Sequence, residues 1–240
     1  MIKLLDGKNY DHKELLSKMD DDSFYYGELN RLALSSSSLK LLLSSPKTYK
    51  HVTKYGNPET QPLRDGWLFH TAILEPHVFN AQIFVDVASK NTKAFKLAKQ
   101  EHGKVFTMSE KNKAEKLADA FFRNEHALKL ITDCEFEVPA IGNVCGFPFR
   151  GKADVLGKDR IVDLKTTTDI KGFPYAAKKY GYDVQCFLYC NLFNVGYEQF
   201  KFLVMDKGSL DIGVWDCSEE FYLEGKRKVE KAVDIFETFF

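Results

Sequence analysis

The chain has 240 residues, 44% of them hydrophobic and 28% charged, and its 34 basic and 34 acidic side chains cancel to a formal charge of zero. That length buries a full core without disulfide or metal staples, and the composition is that of a globular protein, not a disordered, collagenous or coiled-coil one. Neutrality excludes a polybasic nucleic-acid coat and leaves any nucleic-acid surface to a local patch.

The first residues, MIKLLDGKNYDHKELL, carry charges every few positions and do not read as a secretion signal. No segment reaches the roughly 18 uninterrupted apolar residues of a membrane span. Ser35 to Ser38 ahead of LKLLL predict an N-cap and a short amphipathic helix. Pro46 opens a second helix and Pro62 a third, LRDGWLFHTAILEP, which Pro76 closes. Residues 92–102 and 109–130 carry apolar side chains at helical spacing. After Asp133 the period changes to alternation. CEFEVPA and VCGFPFRG predict a hairpin turned at Gly142-Asn143, and KADVLG and RIVDLKT predict two more short strands. A helix over residues 183–194, the strands QFKFLVM and DIGVWDC, and a closing helix over residues 218–238 complete the pattern. The expectation is one α/β domain over residues 1–240, with a mainly helical part over 1–132 and an α/β core with a mixed sheet over 133–240.

The five cysteines, Cys134, Cys145, Cys186, Cys190 and Cys217, are odd in number and contain no CxxC pair. They predict reduced, mostly buried thiols in a cytoplasmic compartment, neither a disulfide framework nor a zinc ribbon.

The densest chemistry lies in GKADVLGKDRIVDLKTTTD. Asp154 ends one strand; Asp163 lies on the next, with Lys165 two residues on and so on the same face. Leu164 points into the core, but its carbonyl can face a ligand. Two carboxylates and a carbonyl are hard oxygen ligands suited to Mg²⁺ or Mn²⁺. A lysine beside them can orient an attacking water, lower its pKa or stabilise a pentavalent phosphate, the kit for metal-assisted phosphodiester hydrolysis. Asp-x-Lys alone is more often a solvated strand face. Charges placed directly after the apolar run in IVDLK are costly unless a site uses them.

Gln185 and Tyr189 are four apart on the following helix and share a face. They can orient a phosphate or the lysine, or pack in the core. His70 sits on an apolar helix, one turn after Gly66, which permits close backbone approach; a lone histidine there is ordinarily a core group. Lys90, Lys93, Lys96, Lys99 and Lys104 face only Glu101 within residues 90–104. Lys93, Lys96 and Lys99 recur every three residues and would line one side of a helix, either as a phosphate-tracking strip or as a solvated face. Trp67 and Phe95 are stacking candidates for a DNA end, with core packing as the competing role.

The ordered set His70, Asp154, Asp163-Leu164-Lys165 and Gln185-x-x-x-Tyr189 resembles the PD-(D/E)xK nuclease superfamily. More narrowly it is similar to the phage-type exonucleases related to exodeoxyribonuclease VIII, and more distantly to lambda exonuclease and the RecB nuclease domain. LSSSSLKLLLSSPKTYKHV resembles that family's Ser-x-Ser-x-Leu helix with its Ser-Pro-x-x-Tyr, and DGWLFHTAILEP its Gly-x-x-x-His-x-x-x-Leu-Glu-Pro segment. The resemblance implies a restriction-endonuclease-like core. It implies His70, Asp154 and Asp163 as metal ligands with the Leu164 carbonyl, Lys165 as catalytic lysine, and Gln185 and Tyr189 in support. It further implies Ser35 or Ser37 on a DNA phosphate, where a plain N-cap also explains either serine, and Glu135 or Glu137 behind the ligands.

The motif's proline is replaced by Ala153, and the cysteines do not follow the four-cysteine pattern of Cas4-like relatives, so no iron–sulfur cluster is expected. The implied activity is Mg²⁺-dependent exonuclease action at ends of double-stranded DNA, 5′→3′, in phage recombination or repair, with a single-strand annealing partner and a homo-oligomer. A single-strand exonuclease or structure-specific endonuclease on the same core, and a non-catalytic DNA-end-binding module, are the alternatives.

Overall fold

The computed structural model describes residues 1–240. In chain order the elements begin with a small hairpin, β1 (Ile2–Lys3) and β2 (Asn9–Tyr10), then α1 (His12–Lys18), a π-helical turn (Phe24–Glu28) and α2 (Leu29–Leu32). Next come α3 (Ser36–Ser44), α4 (Pro46–Tyr55), α5 (Gln61–Leu74), α6 (Pro76–Asn80), β3 (Ile83–Val85), α7 (Lys93–His102), β4 (Val105–Thr107), α8 (Met108–Phe122) and α9 (Glu125–Ile131). The second half contributes β5 (Glu135–Val144), β6 (Phe147–Leu156), β7 (Ile161–Thr167), α10 (Phe173–Lys179), α11 (Tyr182–Phe193), β8 (Phe200–Asp206), β9 (Ile212–Asp216) and α12 (Glu219–Phe239).

Strands β5 to β9 form one sheet in sequence order. Only β7 and β8 run parallel, and the crossover that parallel neighbours require is supplied by α10 and α11. The sheet is mixed and covered on both faces, the α/β class read from the alternation. Period-two alternation separates the faces on β7 and β8. Ile161, Phe200, Phe202 and Val204 enter the larger core with α3, α11 and α12, while Val162, Leu164, Leu203 and Met205 enter a second core with α5, α8 and α9. Each fully buried aliphatic or aromatic side chain contributes about 1.5–3 kcal/mol, so both helical layers, including those of the first half, are bound to the sheet.

Several boundaries differ from the sequence reading for local reasons. The β5–β6 hairpin does not turn at Gly142-Asn143; those residues pair with Phe149 and Pro148 inside the ladder. The turn is Cys145-Gly146, both at positive φ (50° and 84°), the conformation of a type I′ two-residue loop. FPFRG and KADVL are one strand, β6, because Gly151 is not a break: a Cβ there would come within 2.9 Å of the Tyr189 ring. The helix read over 109–130 is two, since Asn124 accepts the Ala127 N–H and caps α9. β3 and β4 pair in parallel around α7, a small unit too short to show a period.

The first residues pack Ile2, Leu4, Leu15, Met19, Tyr25 and Leu29 against Ile141 of β5. Just beyond, Leu34 bridges to Phe149: its N–H donates to Pro148 O (2.9 Å), and Arg150 N–H donates to Leu34 O (2.8 Å). This fixes where α3 starts relative to β6. Cys186, Cys190 and Cys217 are buried in the larger core, Cys134 is half-buried and Cys145 is exposed in its turn.

α12 lies against α11 at Gly225, where an added Cβ would collide with the backbone carbonyl of Asp183. Gly225→Ala gains about 1 kcal/mol of helix propensity. Overpacking against backbone, which cannot rotate away, costs about 1–3 kcal/mol and prevails. The expected outcome is a lower urea midpoint for Gly225→Ala; a midpoint at or above wild type would show that the two helices can separate without cost.

Candidate active site

The site begins where two strands part. β6 and β7 pair at Val155–Val162 and Leu156–Ile161 and then diverge. Beyond the last pair the Leu164 N–H donates to the Asp154 side chain, Oδ2 at 2.7 Å. A carboxylate thus takes the donor that a backbone carbonyl would otherwise satisfy, and the fork stays open without an orphaned amide. Opposite Asp154 on β5, Glu137 has φ 51°, a conformation that costs an L residue with a Cβ roughly 1 kcal/mol or more. Strand alternation fails there: Ala153 packs in one core and Val155, two residues on, in the other.

α5 closes the fork from the helical half. Phe69 and Ile73 bury in the second core, and His70 between them places Nε2 2.8 Å from the Leu164 carbonyl oxygen and 3.4 Å from Asp154 Oδ2. The ligand atoms of His70, Glu137 and Asp154 all lie within 4.8 Å of one another. One imidazole nitrogen, two carboxylates and an adjacent carbonyl are a donor set that fits a hard divalent cation.

On the opposite face of β7, Asp163 is 1% exposed and bonded to the Lys165 ammonium and to Gln185 Nε2. One turn further along α11, Tyr189 Oη donates to Lys152 O (3.0 Å) and receives Lys152 N–H (3.4 Å). Gln185 therefore holds β7 and Tyr189 holds β6, one on each side of the fork. The missing Cβ of Gly151 makes room for the tyrosine ring.

The electrostatics follow from crowding. Burial, with Asp163 adding to it against His70, pushes the Asp154 carboxyl up to about 6. Burial, then Asp154 and Glu75, pushes Glu137 up to about 8. Burial acts to lower the Lys165 ammonium, but Asp163 and Asp154 outweigh it and hold the group above its ordinary value. A second lysine, Lys40 of α3, is drawn down to about 8, by burial first and the nearby Lys165 second.

The residues singled out from sequence divide cleanly. His70, Asp154 and the Leu164 carbonyl meet at one point, and Asp163, Lys165 and Gln185 meet beside it. Tyr189 reaches the backbone of β6. Of the two glutamates on β5, Glu137 joins the cluster and Glu135 is exposed. Alternation could not choose between them, because the positive φ at Glu137 breaks it. Lys40 had no sequence signal beyond lying in an apolar helix.

The remaining residues make no hydrogen bond or ion pair with this cluster. Ser35 is buried and caps α3 in a reciprocal pair with Ser38, while Ser37 is exposed. Lys93, Lys96 and Lys99 are exposed on α7 without ion pairs, whereas Lys90 is bound to Glu110 and Gln61. Phe95 is core. Trp67 stacks on Phe106 with the Lys104 ammonium 3.2 Å over its ring. No helix is long and apolar enough to cross a membrane.

The sequence profile of the family described as a PDDEXK-like domain of unknown function (DUF3799) matches residues 35–238. The chain belongs to that family. The crystal structure of a candidate exonuclease from Eubacterium rectale superimposes with a TM-score of 0.68 at 17% identity, over 92% of this chain and 87% of that one, and shares the fold. A phage-related exonuclease from Haemophilus somnus aligns over 88% of this chain and 96% of its own at 17% identity; its TM-score of 0.38 bears on nothing further. No curated protein matches the sequence.

The raised Glu137 carboxyl carries a signature in stability. Its folded pKa exceeds its unfolded one, so without a divalent ion its contribution is fully present below about pH 4.5. That contribution is lost as pH rises toward about 8. In EDTA, Glu137→Gln is expected to gain melting temperature relative to wild type progressively from about pH 5 to pH 8, and added Mg²⁺ at the upper end is expected to raise wild type more than the variant. A difference that stays constant across this range would mean that the carboxylates do not crowd.

Proposed function

We propose that the chain is a divalent-metal-dependent DNA exonuclease that hydrolyses phosphodiester bonds from ends of double-stranded DNA. The observation that carries this reading is the fork between β6 and β7, which gathers His70, Glu137 and Asp154 within 4.8 Å beside the Asp163–Lys165 pair. His70, Asp154, Glu137 and the Leu164 carbonyl would hold the ion, with Asp163 available from the neighbouring position. Mg²⁺ is the proposed ion, and Mn²⁺ fits the same donors. Bound there, it supplies positive charge against the scissile phosphate and acidifies water.

The chain's own groups do the rest. Lys165, held by Asp163 at the mouth of the fork, orients the attacking water and meets charge developing on the phosphate. Gln185 fixes Asp163, and Tyr189 fixes the β6 backbone. The exposed Lys93, Lys96 and Lys99 provide sequence-independent grip on DNA phosphates.

Attack at ends, 5′→3′ polarity and a role in phage recombination or repair rest on the motif resemblance. So do the annealing-protein partner, the homo-oligomer and a cytoplasmic setting. The Eubacterium rectale protein of the same fold, described as a candidate exonuclease, supports exonuclease over endonuclease action.

Linear duplex, single strand and closed circular duplex, each with Mg²⁺ or EDTA, test the reading. Wild type is expected to consume linear duplex in Mg²⁺ alone. Nicking of the circle would make the protein an endonuclease, preference for single strand would change its substrate, and binding without cutting would make it an end-binding module. Lys165→Ala, with folding checked by circular dichroism, should lower turnover by a factor on the order of hundreds while DNA is still bound. Full activity in that variant would remove the lysine from the mechanism.

Neutralising Lys93, Lys96 and Lys99 together should weaken DNA binding and flatten its salt dependence by about one unit per lost contact. An unchanged salt slope would place the DNA elsewhere.

A further inference from the structure

We propose that Lys40 is a substrate-binding residue that holds a DNA backbone phosphate next to the one being cut; this deepens the nuclease reading above and rests on it. The position is built, not incidental. The Leu34 bridge to β6 fixes the start of α3, and Leu39 and Leu42 are fully buried in the larger core, so the helix cannot rotate. Lys40 lies between them, its stem against Gly181: a Cβ on that glycine would stand 3.4 Å from Lys40 Cγ. The ammonium reaches the ring of Tyr182, 5.0 Å from its centroid, and Lys165 Nζ lies 4.9 Å from the same centroid. A residue of the helical half is thereby brought to the same aromatic ring as the lysine of the Asp-x-Lys strand.

The charges around that ring do not balance. Lys165 is paired with Asp163, which also accepts from Gln185. Asp183, the other carboxylate near Lys40, is fully buried and paired with Lys228 at 2.5 Å. Lys40 alone has neither a hydrogen bond nor an ion pair, only the face of Tyr182. A half-buried ammonium without an anion is an expensive arrangement, and a cation–π contact returns only about 0.5–2 kcal/mol of it. A cation cannot ligate a metal. What the site lacks is an anion, and a phosphodiester oxygen is the anion that a nuclease brings. Lysine suits this role as a compact point charge that makes no demand on phosphate orientation, so the contact would fix the path of the strand without reading its sequence.

The test compares wild type, Lys40→Ala, Lys40→Gln and Lys40→Arg on one linear duplex. Binding is followed in EDTA across a salt series, cleavage in Mg²⁺, and melting temperature in parallel. Loss of one phosphate contact should flatten the salt slope by about one unit and raise KM about tenfold. The arginine variant should restore most of both, and kcat should change less than KM. Lys40→Gln, which keeps a similar stem, carries the comparison if the alanine variant fails to fold. An unchanged salt slope and KM with a lowered melting temperature would leave Lys40 a structural cation–π partner and overturn the inference alone. Wild type that neither binds nor cuts DNA would instead overturn the nuclease reading, and this inference with it.

Discussion

One hydrogen bond organises this molecule: the Leu164 N–H on the Asp154 carboxylate. A sheet normally spends every interior amide on the next strand. Here a side chain takes the donor, so β6 and β7 can separate inside the core without leaving an unsatisfied group, which would cost about 1–3 kcal/mol. The opening that results is occupied by the cluster of His70, Glu137 and Asp154. His70 enters it from α5 on one side of the sheet, and Asp163 and Lys165 line it from the other. Gln185 and Tyr189 brace its two walls.

The same opening explains why the buried charges are tolerated. Asp163 is almost wholly enclosed, and breaking such a pair by removing one partner costs about 3–5 kcal/mol. Its partners, Lys165 and Gln185, come from two different elements. Glu137 and Asp154 lack such neutralisation, and burial first, with a neighbouring carboxylate adding to it (Asp154 for Glu137, Asp163 for Asp154), keeps their carboxyls high. The protein thus neutralises the half of its acidic cluster that holds the lysine and leaves the other half without a lysine or arginine partner.

Much of this was legible in the chain, for physical reasons. Strand period two put Asp163 and Lys165 on one face and Leu164 on the other; helical spacing put Gln185 beside Tyr189. These relations are local, and local geometry survives folding. The mixed sheet was readable because apolar alternation begins sharply after Asp133. What could not be read depends on backbone departures or distant contacts. Glu137 is aimed by a positive φ that no side-chain pattern encodes, and the hairpin turn sits at Cys145-Gly146 although Gly142-Asn143 has equally good turn chemistry. Gly151 resembles a strand break until Tyr189 is placed on it. Lys40 becomes notable only when Tyr182, far away in sequence, stands beneath it.

The bridge at Leu34 has a bearing on how the molecule comes to exist. Leu34 must wait for Phe149, and His70 for Leu164, 94 residues later. Contacts so distant in sequence form slowly, because the entropy of closing a long loop is paid before the contact rewards it. A ribosome presents the helical half well before the strands it covers. His70 and Asp154 can therefore meet only once β6 and β7 have left the ribosome, and the cluster at the fork is a late product of folding.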